Sequence, residues 1–185
     1  MDHLPAELPL VLGAGLNLLA AGIFATAALH KIRTFTEFTG FVAGYRLLPA
    51  LLIRPGSAIT VLLEVTATAG ALITAPPLAY LPATMLLVYA LAMSINLIRG
   101  RTNIDCGCGG TPMPLSIALV LRNLILAFAF FWAAGTGSLL EFVAARSELF
   151  PIAAGFALSL GICYAAFNQL QANRGILQRL WMQSA

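Results

Sequence analysis

Five apolar runs, each about as long as a bilayer is thick, leave this chain few ways to fold. They cover residues 8–29, 57–75, 78–98, 115–134 and 150–170. Some 20 helical residues, rising 1.5 Å each, cross the roughly 30 Å hydrocarbon core. The fold class that follows is all-α: an integral membrane bundle of five transmembrane helices. Composition agrees, with 60% of the 185 residues hydrophobic and 9% charged, where a soluble domain carries roughly 25% charged residues. So few charges cannot clothe a water-facing surface, and residues 1–185 read as a single membrane domain.

The segment between the first two runs behaves differently. Thr34 and Glu37 have capping-box spacing, and Phe35, Phe38, Val42 and Tyr45 recur at helical intervals. Arg46 and Pro49 argue against a span, so residues 34–46 are expected to form an amphipathic helix lying in the interface. If residues 36–53 spanned instead, the topology of everything after them would invert. Later gaps are short, which makes neighbouring helices antiparallel and the bundle compact.

A pI near 9.0 does not point to nucleic acid, because the ten Lys and Arg residues form no contiguous basic stripe. They act as topology signals. Lys31, Arg33, Arg46, Arg54, Arg99, Arg101, Arg174 and Arg179, with Arg122 nearby, fall on one side of a five-span chain; Arg146 falls on the other. The bias places the N-terminus outside, with the C-terminus and loop 99–114 at the cytoplasmic face. The start, MDHLPAELPL, lacks the basic n-region of a secretory signal, so the first run is expected to be retained.

Loop 99–114 carries the chemistry. Cys106-Gly107-Cys108 sits among Gly109, Gly110, Pro112 and Pro114, a setting unsuited to regular helix. A disulfide across one intervening residue closes a very small ring and should be readily reduced, and Gly107 supplies the φ/ψ such a ring needs. Three readings stay open: a redox pair, two plain thiols in a glycine-rich turn, and a Cu(I) site on two thiolates. A structural zinc site would need four ligands, with His30 the one obvious further candidate, so no metal is assigned.

Ionisable groups inside spans pair with one another or line polar cavities. Glu64 and Arg122 are each placed about seven residues, roughly 10 Å, below the loop's face, and are expected to pair. The pair either fixes helix packing or walls a polar pocket beneath the cysteines, with His30 and Asn96 facing the same side. There Arg122 would favour a thiolate and Glu64 would move a proton. Cys163 reads as a small apolar residue of the last span, the alternative being a third thiol that takes over the disulfide. Tyr45, Tyr80, Trp132 and Trp181 read as interface anchors.

The HKIR that ends the first run, the stretch from Phe41 through YRLLP to Pro49, Glu64, the DCGCGG loop and the LRN of the fourth run resemble the methylamine utilisation protein MauE family. That family is related to the wider DoxX-like group of small membrane proteins. The likeness runs from about residue 29 to 124, and Gly109 stands where the family loop usually carries an aromatic residue. The resemblance implies a partner of the MauD type with a thioredoxin fold, and work in the maturation of a disulfide-rich periplasmic protein such as the methylamine dehydrogenase small subunit. On this reading Cys106 and Cys108 act in thiol–disulfide exchange, with a membrane quinone as one destination for the electrons. A non-catalytic assembly or anchoring subunit is the alternative.

Overall fold

The computed structural model describes residues 4–73, 77–102, 104–107 and 113–184. These form α1 (Leu4–Arg33), α2 (Phe35–Tyr45), α3 (Ala50–Ile73), α4 (Leu81–Ile98, entered through a 3-10 turn at Leu78–Tyr80), α5 (Ile117–Ala134), α6 (Leu139–Ala145) and α7 (Phe150–Ser184). Five of the helices are long and apolar enough to cross a membrane. No strand occurs among the described residues, and the chain is an all-α membrane bundle. Five crossings put the two ends of the chain on opposite faces.

Helix α2 is too short to cross. Its 11 residues reach about 17 Å, and it stops where Arg46 turns left-handed (φ 50°). Pro49 then precedes Ala50, the first residue of α3. Because α3 begins there, Pro55 lies inside it, whereas the apolar run alone starts at Ser57. A proline early in a helix forfeits one backbone bond, which neighbouring groups in a membrane helix can offset.

Helix α1 is the central strut, packing on α3, α5 and α7, while α4 packs on both α3 and α5. Small residues let the backbones approach. A Cβ added at Gly70 of α3 would run into the Leu78 carbonyl, and one at Gly15 of α1 would sit 2.9 Å from the Ala153 carbonyl of α7. The main core gathers Phe24 of α1, Ala67 and Ala71 of α3, Met85 and Leu86 of α4, and Ala127 and Phe130 of α5. Leucine and isoleucine side chains on the outer faces of these helices are broadly exposed, as a surface against lipid requires.

Candidate functional site

The cysteine loop is folded back on itself by one carboxylate. Asp105 Oδ1 accepts from Gly107 N at 2.9 Å and Oδ2 from Met113 N at 3.2 Å. Cys106 N donates to the Met113 carbonyl at 3.0 Å, and Asp105 bridges to Pro114. Gly107 adopts φ +68°, where a side chain would be strained. Cys108 lies outside the described residues.

Two side chains clamp this loop to α2. The Tyr45 hydroxyl donates to the Cys106 carbonyl at 3.2 Å. Arg101 donates to the Gly44 carbonyl at 2.9 Å, the Tyr45 carbonyl at 3.3 Å and Asn96 Oδ1 at 3.2 Å. Asn96, fully buried near the end of α4, therefore holds the arginine that holds the loop. Cys106 is half-buried.

Beneath the loop is a cavity of about 260 Å³ whose wall includes Cys106 and Gly107. Phe38, Phe41 and Tyr45 of α2 roof it, and Thr60 of α3 with Tyr89 and Met93 of α4 form the sides. Leu47, Leu48 and Val88, which also line it, are 38%, 40% and 56% exposed. Val88 sits midway along the span Leu78–Ile98, so the mouth opens toward hydrocarbon.

The inner end is polar. Lys31, 3% exposed, lines the cavity and forms an ion pair with the fully buried Glu64, whose Oε1 also accepts from the Tyr89 hydroxyl at 2.7 Å. The ammonium lies 5.0 Å from the Phe38 ring centroid and 5.4 Å from that of Tyr89, within cation–π range. Glu64 Oε2 is buried without a hydrogen-bond partner among the described residues. Glu64 is also deeper than the apolar run suggests. It lies 14 residues beyond Ala50, about 21 Å along the helix.

The pairing expected between Glu64 and Arg122 thus gives way to one between Glu64 and Lys31. The reason is helix order: α3 packs on α1 and α4, and α5 packs on α4 and α1, so the lysine of α1 is the nearer cation. Arg122 reaches Asn123 Oδ1 through Nε (3.1 Å) and Nη2 (2.9 Å), bonds Asn168 of α7, and places its guanidinium 5.3 Å from the Tyr164 ring. His30 is half-buried; its carbonyl accepts both the amide and hydroxyl of Thr34, while Lys31 faces the cavity. Cys163 is exposed on α7, within the span Ser147–Arg174, and so faces lipid. No group of three metal-ligating side chains occurs among the described residues.

Sequence reasoning counted Lys31 and Arg101 as topology signals, met Asp105 only as part of the DCGCGG stretch, and passed over Tyr89. The place of Lys31 shows only once burial is known. Buried positions of α1 fall at Ala14, Asn17, Ala21, Phe24 and Ala28, and the next step of three is Lys31.

Together these features define a small multi-pass α-helical membrane protein with a thiol at the rim of a lipid-facing cavity and an ion pair at its inner end. The profile of the family described as methylamine utilisation protein MauE matches residues 9–136. The chain belongs to this family. It is 44% identical over 122 residues to the Methylamine utilization protein MauE of Paracoccus denitrificans, covering 64% of this chain and 65% of that one. Against the proteins of the same name from Methylorubrum extorquens and Methylophilus methylotrophus it is 39% identical over 151 residues and 33% over 149. These cover 78% of this chain and 79% and 78% of theirs. No solved structure matches.

Proposed function

We propose that this protein serves methylamine utilisation as a membrane thiol–disulfide exchange protein, with Cys106 and Cys108 as the working pair. The observation that carries the reading is the placement of Cys106. It is half-buried in a loop clamped by Asp105, Tyr45 and Arg101, at the rim of a cavity and not adrift in a surface turn. In the exchange, a thiolate of a thioredoxin-fold partner attacks one sulfur of the Cys106–Cys108 disulfide and forms a mixed disulfide. A second partner thiolate then attacks that bond, leaving the partner oxidised and the pair as two thiols. Two electrons pass from the partner to the pair, and the client would be a disulfide-rich periplasmic protein such as the methylamine dehydrogenase small subunit.

The charge bias supports a cytoplasmic-membrane location with the loop on the inner face, whereas disulfide formation belongs outside. Both fit if Cys106, packed under α2, is reached through the bundle. Labelling of Cys106 in intact cells with permeant and impermeant thiol reagents tests the sidedness.

Trapping tests the exchange. One of Cys106→Ser and Cys108→Ser should accumulate a reductant-sensitive adduct with a thioredoxin-fold protein in cells growing on methylamine, and the double variant should form none and fail to grow. Growth of the double variant at the wild-type rate would overturn the reading in favour of a non-catalytic assembly subunit.

A further inference from the structure

We infer that the cavity beneath the cysteine loop is a binding site for a lipid-soluble quinone, which accepts the electrons of the Cys106–Cys108 pair. The inference deepens the thiol-exchange reading and rests on it for the redox step, though not for binding.

Three features select this ligand. Access comes first: the mouth is framed by exposed Leu47, Leu48 and Val88, with Val88 in mid-span, so the occupant arrives from the bilayer and is apolar over most of its surface. Size comes second. A cavity of about 150 Å³ lined by aliphatic and aromatic side chains holds a benzene ring, so about 260 Å³ admits a single substituted ring with its tail trailing through the mouth. The inner end comes third. Lys31 presents an ammonium with three N–H donors, one of which is spent on Glu64, and the Tyr89 hydroxyl lies beside it on the same carboxylate oxygen.

An acyl chain has no use for a buried ammonium, whereas a ring carbonyl accepts from it and gains charge there as electrons arrive. A charged donor held in an apolar, water-poor site stabilises such developing charge strongly. Aromatic side chains of Phe38 and Phe41 on the roof offer faces for the ring to pack against.

The electron count closes. Cys106 and Cys108 as thiols lose two electrons and two protons and become a disulfide. The quinone takes up both electrons and both protons and leaves as quinol, and the disulfide is ready for the next partner dithiol.

The test uses the full-length protein in nanodiscs with a decyl-substituted benzoquinone as probe and decylbenzene as control. Wild-type protein should bind the quinone in preference to decylbenzene. Val88→Trp, which narrows a mouth already facing lipid, should weaken binding about tenfold with little change in melting temperature, and Tyr89→Phe, which also takes a hydrogen bond from Glu64, should weaken it by a smaller factor at some cost in stability; tenfold corresponds to about 1.4 kcal/mol. The Cys106→Ser, Cys108→Ser variant should form no quinol from the probe, whereas reduced wild type should convert it stoichiometrically. Equal affinity for decylbenzene, or binding indifferent to both Val88→Trp and Tyr89→Phe, would overturn the inference by making the cavity an acyl-chain groove. Quinone binding without any partner adduct would instead remove the thiol-exchange reading and leave the quinone site standing.

Discussion

Lys31 and Arg122 are both buried cations in membrane-spanning helices, yet the bundle satisfies them in opposite ways. Lys31 meets a carboxylate, a phenol ring and a benzyl ring at the inner end of a cavity. Arg122 meets the amide oxygens of Asn123 and Asn168 and the face of Tyr164. The difference matches the chemistry of the two side chains. A planar guanidinium spreads its charge over five donors and can be met by neutral acceptors and a ring, whereas an ammonium is a compact, strongly hydrated charge that needs an anion once water is removed. One centre faces a site that a ligand can enter; the other ties α5 to α7.

Breaking the ion pair should give the largest effect. Lys31→Met or Glu64→Gln leaves an uncompensated buried partner and should each cost about 3–5 kcal/mol, read as a lowered melting temperature in detergent. The double variant should recover a measurable part of that loss. Glu64→Gln combined with Arg122→Leu should instead be additive to within about 0.5 kcal/mol, since the two groups hold different partners. Coupling between Glu64 and Arg122 as strong as that between Glu64 and Lys31 would erase the distinction drawn above.

A smaller loss should follow at the amide-held centre. Asn168→Leu removes one charged hydrogen bond of a kind worth about 1.5–3 kcal/mol. In an Arg122→Leu background the same change should cost much less. Equal costs in both backgrounds would mean that Asn168 does not hold the guanidinium.

How much of this could be read without coordinates depended on whether the signal was local. The spans and the short helix over Phe35–Tyr45 followed from runs of apolar residues and from Arg46 and Pro49, each a property of neighbouring positions. The cysteine loop was legible from its glycines and prolines. The partner of Glu64 was not, because it depends on which helices are adjacent, and α1, apolar nearly all round, shows no polar face to reveal which side is buried. Lys31 lies about half a turn beyond the point where the apolar run ends, so it read as a residue at the water line when it belongs to the buried stripe that continues from Phe24 and Ala28. The clamping role of Arg101 was hidden for a related reason: its acceptors include the carbonyls of Gly44 and Tyr45, more than 50 positions away.

Arg101 also links the cysteine loop to the comparison. Arg101→Leu removes the bonds that seat the loop on α2 and should speed alkylation of Cys106 severalfold while leaving the ion pair, and most of the stability, in place. Unchanged alkylation would mean that Tyr45 and Asp105 suffice to hold the thiol.

The smallest effect belongs to the opposite face, where charges meet water. There Glu7 and Arg146 pair at 3.0 Å with their side chains 25% and 44% exposed, and Ser138 and Glu141 cap α6 reciprocally at 2.9 and 3.0 Å. Exposed pairs contribute little and are screened by salt, so Glu7→Gln should leave the melting temperature within the scatter of replicates. The cap carries a pH signature instead. Hydrogen bonds from the Ser138 backbone and hydroxyl hold the Glu141 carboxyl below its ordinary value. A carboxylate lowered on folding adds stability above its unfolded value, and that contribution is lost as pH falls through the lowered one. Wild type should therefore lose slightly more stability between neutral and strongly acidic pH than Glu141→Gln does. Lys31→Met and Glu64→Gln should remain the more damaging changes throughout that range, because no shift of pH or salt at the surface restores a partner removed from the bilayer's interior.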